Sequence, residues 1–243
     1  MTTAIGFRSS AVTHPGVVRS HNEDAFVDRP DLGLWAIADG VGGYAAGEVA
    51  SGTIAQSLDS VPADLSASDL LAQVRLRLGQ AHEALRAEAA ERGESAVVAA
   101  CVVVLIARDT HYACLWAGDC RCYLLREGAL ARITRDHSLV QDLVDAGAIP
   151  ADEAAQHPQA NVVTRAVGAE DEAPELDKTT AWVMPGDRFL LCSDGLTKAV
   201  SEAEIAASLR EGGDVAARLV DRALQEGARD NVTVVAVEVE AAT

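Results

Sequence analysis

The chain has 243 residues, with 37 Asp plus Glu against 20 Lys plus Arg and a formal charge of −17 at neutral pH. That length suits one domain with a sizeable core, and an apolar fraction of 49% excludes a disordered chain. The acidic excess argues against nucleic-acid backbones and anionic membranes as partners, and the longest apolar run, Ala96 to Ala107, is too short to span a bilayer.

In chain order, strand-like segments come first, at Ala4–Val12, Ala25–Asp28 and Leu34–Ala38. Helical spacing of Ala50, Ile54 and Leu58 predicts a helix over Ala45–Ser60. Leu71, Val74, Leu78, Ala81 and Leu85 predict a second helix, capped by Ser66 or Ser68 and ended by Gly93, with His82 read as solvated. Four strands follow at Ala96–Ala107, His111–Ala117, Arg121–Arg126 and Ala129–Thr134, the last two joined by a Glu127-Gly128 turn. Short helices are expected at Ser138–Ala146 and Ala151–His157, then strands at Lys178–Val183 and Arg188–Cys192. Helices at Ser201–Leu209 and Asp214–Glu226 and a strand at Val232–Val239 complete the pattern. Hairpin-spaced strands pair antiparallel, so the class is α+β, with antiparallel sheets covered by helices.

The five cysteines, Cys101, Cys114, Cys120, Cys122 and Cys192, sit in apolar stretches without zinc or redox spacing and read as buried free thiols. Met1-Thr-Thr-Ala carries no basic segment, so no signal peptide is expected and the chain reads as cytoplasmic.

Three apolar strands run into aspartate: Leu34–Asp39-Gly40, Leu115–Asp119 and Phe189–Asp194-Gly195. Arg229-Asp230-Asn231 opens the last strand. One Asp-Gly is an ordinary turn. Several gathered at the ends of a shared sheet would repel each other unless a cation neutralised them. An all-oxygen donor set suits magnesium or manganese, and Gly40, lacking a side chain, leaves its carbonyl free to approach such an ion. Two such ions are a standard device for hydrolysing phosphate esters. Upstream, Arg19 precedes Asn22-Glu23-Asp24; it could grip phosphate, or pair with Glu23 or Asp28. His14, His21 and His157 are lesser candidates to line a cleft, and the three Trp read as core or rim.

Arg19-x-x-Asn22-Glu23-Asp24, Asp39-Gly40-Val41-Gly42-Gly43, Gly118-Asp119, Ser193-Asp194-Gly195 and Arg229-Asp230-Asn231 together resemble the ordered motifs of the metal-dependent protein phosphatases, the protein phosphatase 2C family. The likeness runs from about Gly6 to Val239 and is nearest to bacterial stand-alone catalytic domains, including those of type VI secretion regulation. It implies one catalytic domain over residues 1–243, a four-layer α/β/β/α sandwich with a helix pair on each outer face, and a flap at about 141–160. It also implies a dinuclear Mn2+ or Mg2+ centre. Asp39 would bridge both ions, the Gly40 carbonyl, Asp194 and Asp230 would complete one, and Glu23 and Asp24 would hold the other, partly through water. Asp119 with Asp194 would bind a third, weaker ion. Arg19 would bind the substrate phosphate, Asn231 would orient its neighbours, and Arg19, Asp39 and Asp194 would carry catalysis. Val41 stands where animal members carry a proposed general-acid histidine.

The implied activity is hydrolysis of phosphoserine and phosphothreonine by a metal-bridging water, opposing a bacterial Ser/Thr kinase. A monomer acting on phosphoproteins is expected, without nucleic acid or membrane insertion. The competing reading is a phosphoprotein-binding regulatory module without turnover. A metal nuclease would use the same cation but carries the wrong surface charge.

Overall fold

The computed structural model describes residues 5–41, 46–93 and 95–241. Gly42 and Gly43 of the glycine-rich motif, and the first residues of the predicted opening strand and first helix, lie outside them. Two five-stranded antiparallel sheets stack face to face. One has the order β1 (Ile5–His14), β10 (Val232–Ala241), β9 (Arg188–Cys192), β6 (Arg121–Arg126), β7 (Ala129–Arg132). The other has the order β2 (Asp24–Arg29), β3 (Leu34–Val41), β4 (Ala99–Arg108), β5 (His111–Ala117), β8 (Asp177–Trp182). Helices α1 (Ala46–Asp59) and α2 (Ala67–Arg92) cover the β2–β8 sheet. The short helix α3 (Leu139–Asp145) follows β7, and the other sheet is covered by α4 (Asp194–Ala199), α5 (Glu202–Glu211) and α6 (Val215–Gln225). This is the expected α+β sandwich, with the extra short helix α4 added to one helical layer.

Strand alternation divides the interior into three cores. Successive side chains of a strand point to opposite faces, so a strand buried on both sides reads as an unbroken apolar run. In β4, Ala100, Val102, Val104 and Ile106 pack under α1 and α2, while Cys101, Val103, Leu105 and Ala107 face the other sheet. In β10, Val235, Val237 and Val239 face between the sheets, and Val232, Val234 and Ala236 lie under the helices.

Local chemistry sets the element ends. Ser66 caps α2 by accepting the Asp69 N–H at 3.2 Å, and Gly93 closes it. Ser201 and Glu204 form a reciprocal capping box on α5. Glu127 and Gly128 both have positive φ, 51° and 80°, the geometry of a tight β6–β7 hairpin.

Three expectations change. Ala151–His157 holds only a three-residue 3-10 turn, Ala154–Gln156, with no buried residue to anchor a helix. Asp194–Ala199 forms a short helix, α4, where none was expected, because Leu196 is buried against the helical layer. His82 is buried, not solvated, and its Nδ1 accepts the Gly168 N–H at 3.0 Å. All five cysteines are buried free thiols.

Candidate metal centre

The same alternation builds the site. In β3, Trp35 and Ile37 belong to the inter-sheet core, so Asp39 two residues on shares their face. Asp24 of β2 pairs directly with Asp39 across the strand register. From the opposite sheet, Ser193 just past β9 and Thr233 in β10 have the parity of Leu191 and Val235 and also face inward. Their hydroxyls donate to Asp24 Oδ2 at 2.8 and 2.6 Å, fixing a carboxylate that is only 8% exposed.

Asp194 opens α4, and Lys198 follows one turn later. The Lys198 ammonium lies 2.5 Å from Asp194 and 3.6 Å from Asp230. Arg19 pairs with Asp230 at 3.1 Å, not with Glu23 or Asp28; Asp28 accepts the Ser9 hydroxyl at 2.5 Å instead. Asn231 ties three segments together. Its Oδ1 accepts the Glu23 N–H at 2.8 Å, while its Nδ2 donates to the carbonyls of Pro15 and His21 at 3.0 and 2.9 Å. Asp119 follows Gly118, whose φ of +110° and closeness to Cys101 admit no side chain. His137 Nδ1 accepts the Gly118 N–H at 3.2 Å.

Close backbone approach explains the glycines of the motifs. A Cβ on Gly40 would stand 2.3 Å from the Gly47 carbonyl oxygen, and one on Gly47 would strike the Glu23 carboxyl. A Cβ on Gly195 would lie 1.9 Å from the backbone carbonyl of Asn231. That carbonyl belongs to the loop Asn231 anchors, so it has little freedom to move. Gly195→Ala is therefore expected to destabilise the fold by about 3 kcal/mol or more in denaturant titration. A loss below about 1 kcal/mol would show that the loop gives way.

Electrostatics single out Asp39. Burial raises its pKa well above the carboxylate range, and Asp24, Asp194, Asp119 and Asp230 add to the rise. Burial lifts Asp24 to about 6 against the opposing Thr233 and Ser193 hydrogen bonds, and lifts Asp119 to about 6 with help from Asp194. Burial also raises Asp194, although Lys198 draws it back. Burial would lower the Lys198 pKa, but Asp194, Asp230 and Asp119 outweigh it and push it up.

Such a concentration of carboxylates, Asp24 buried and Asp39, Asp119, Asp194 and Asp230 half-buried, is unfavourable without cations, and its all-oxygen donors fit a hard divalent ion. The close approach leaves no room for a side chain on Gly40 and sets Gly47 against the Glu23 carboxyl, so the residues fit the implied ions. Among the described residues, no three His, Cys, Asp or Glu already form a group that could hold a metal ion. The reason is visible in the partners: Asp24 is turned to Ser193 and Thr233, and Asp194 and Asp230 are turned to Lys198 and Arg19. Beside the carboxylates opens a cleft of about 560 Å³ lined by Val18, Arg19, Asn161, Lys198, Arg229 and Asp230, among others.

The structure thus brings Asp24, Asp39, Asp119, Asp194 and Asp230 together, with Glu23, Gly40, Asn231 and Arg19 at their margin. His14 and His157 instead accept local backbone N–H groups, from Gly16 and Gln159 at 3.0 and 3.2 Å. Lys198, Ser193, Thr233 and His137 have positions at the site that the sequence reading gave no role.

A family model described as Protein phosphatase 2C matches residues 9–142. The serine/threonine protein phosphatase PstP of Mycobacterium tuberculosis is 37% identical over 234 residues, 96% of this chain. This chain belongs to the protein phosphatase 2C family. It spans 45% of the length of that PstP. Among solved structures, PppA, a key regulatory component of T6SS in Pseudomonas aeruginosa, superposes with a TM-score of 0.90 at 43% identity, covering 98% of this chain and 99% of that one. The PstP catalytic domain in complex with two manganese ions gives 0.87 at 35% identity, covering 98% and 100%. The two-sheet sandwich is the fold of this family.

Proposed function

We propose that this chain is a protein serine/threonine phosphatase that hydrolyses phosphoserine and phosphothreonine with two divalent ions, manganese or magnesium. The observation that carries this reading is the meeting of carboxylates from both sheets beside a cleft edged by Arg19: Asp24 stands opposite Asp39 in the β2–β3 register and accepts from Ser193 next to Asp194, and Lys198 joins Asp194 to Asp230. Residues able to hold the ions are Asp39, the Gly40 carbonyl, Asp194 and Asp230 on one side, and Glu23 and Asp24 on the other. Bound there, the ions supply an activated water and neutralise charge developing on the phosphate. Arg19 binds phosphate oxygens at the cleft wall. Asn231 keeps the Glu23 segment and the Asp230 loop in register, and Ser193 and Thr233 fix the Asp24 carboxyl. Asp119 with Asp194 is the place for a third, weaker ion.

Among the described residues no helix is long and apolar enough to cross a membrane. The proposed setting is a cytoplasmic monomer opposing a Ser/Thr kinase. A chromogenic phosphate ester and a phosphothreonine peptide, each assayed with and without manganese, test the reading. Manganese-dependent turnover of both is expected. Peptide binding without turnover would replace the enzyme with a phosphoprotein-binding module.

The charge of −17 adds an expectation about substrates. Long-range attraction should favour phosphosites flanked by Lys or Arg, while the cleft wall itself mixes Arg19, Lys198 and Arg229 with Glu226 and Asp230. The preference should therefore appear in kcat/KM at low salt and fade above roughly 0.15 M, where screening is strong. Equal rates for basic and acidic flanks at low salt would mean that the surface charge serves solubility alone.

A further inference from the structure

We propose that Lys198 is a built-in competitor for the divalent ion at Asp194 and Asp230, and that displacing its ammonium sets how tightly the chain holds that ion. The inference rests on reading the centre as a two-ion phosphatase site. Two of the three carboxylates assigned to one ion, Asp194 and Asp230, are the ones that Lys198 holds, at 2.5 and 3.6 Å. An ammonium that close to a carboxylate occupies the oxygen lone pairs a metal needs. Left in place beside a bound dication, it would repel it strongly.

The competition is intramolecular. Lys198 sits one helical turn from Asp194 on α4, so the two remain neighbours at any protein concentration. Anchorage on the short helix also limits where the ammonium can go. It can move outward, because the side chain is 43% exposed and borders the 560 Å³ cleft. There it would join Arg19, itself paired with Asp230 at 3.1 Å and released by the same neutralisation. Ion uptake would thus turn two cations from the carboxylates toward the cleft.

The experiment is a calorimetric titration of manganese into the chelator-treated full chain, for the wild type, Lys198→Gln and Lys198→Arg. The Gln variant should bind on the order of tenfold tighter, the equivalent of one partly buried ion pair removed. The Arg variant, which keeps the charge, should stay near the wild type. In chelator the Gln variant should also melt lower than the wild type, because Asp194 and Asp230 lose their counter-ion. Equal or weaker manganese affinity in the Gln variant overturns the inference, as does an Arg variant that binds as tightly as Gln. Uptake by none of the three proteins would instead overturn the two-ion reading, and this inference with it.

Discussion

Asp39→Asn is expected to abolish turnover while raising the melting temperature of the chelator-treated protein. The two effects have one cause. Asp39 is pressed by burial and by four other carboxylates, so its negative charge works against the fold in the absence of cations. An amide of nearly the same shape removes that repulsion. It also removes the oxygen anion that would be shared between two ions. Groups that merely orient metal ligands are worth about 10–100-fold in affinity or activity, so loss of a shared ligand should cost at least about a hundredfold in kcat/KM. Relief of about 1 kcal/mol corresponds to roughly 2–4 °C in a chain of this size. Phosphatase assays at saturating manganese and melts in chelator test both halves. An Asn protein with wild-type turnover would remove Asp39 from the centre, and one that melts lower would show that its charge is not what strains the site.

Much of this was legible in the sequence because the signals were local. The run from Ala99 to Ala107 announces a strand buried on both faces, and counting by twos from Trp35 puts Asp39 between the sheets. Asp119 and Asp194 could be seen as strand-end carboxylates because each follows an apolar segment. What stayed hidden depends on partners far along the chain. Thr233 and Ser193 hold Asp24 across 209 and 169 residues, and no local pattern marks such pairs. Arg19 finds Asp230 rather than its own neighbours for the same reason.

Other gaps were matters of reading. Lys198 is four residues past Asp194, a helical spacing, but the pair has meaning only once α4 is known to be a helix. Turn chemistry at Asp194-Gly195 masked it. His82 lies on the stripe Leu78, Ala81, Leu85, so its burial was in the periodicity. Its partner, the amide of Gly168, was not. The helix expected at Ala151–His157 had favourable composition but no apolar face, and tertiary contacts gave it none.

The stability of the protein should depend on pH with opposite sign in chelator and in a divalent ion. Asp24 and Asp119 are raised from 3.8 to about 6 in the folded chain, and burial raises Asp39 as well. Between about pH 4 and 6 the native state therefore binds more protons than the unfolded chain, so stability falls as pH rises. The fall should amount to a few kcal/mol across the group. On the acid side another group acts the other way: Glu204, lowered to about 2 by the Ser201 hydroxyl and amide and by Arg222, loses its stabilising contacts as pH drops below its unfolded value. A maximum between about pH 4 and 5 is the expected result in chelator. With magnesium or manganese present, the ionised carboxylates become ligands. An ion at a hundred times its Kd adds about 2.7 kcal/mol, roughly 5–11 °C, and this gain grows as pH rises through 6 and the carboxylates shed their protons. Melting curves from pH 4.5 to 7.5 should thus decline in chelator and rise or level in the ion. A chelator profile that rises across that range would mean that Asp24, Asp39 and Asp119 are held ionised by something other than metal, and the centre would have to be rebuilt around it.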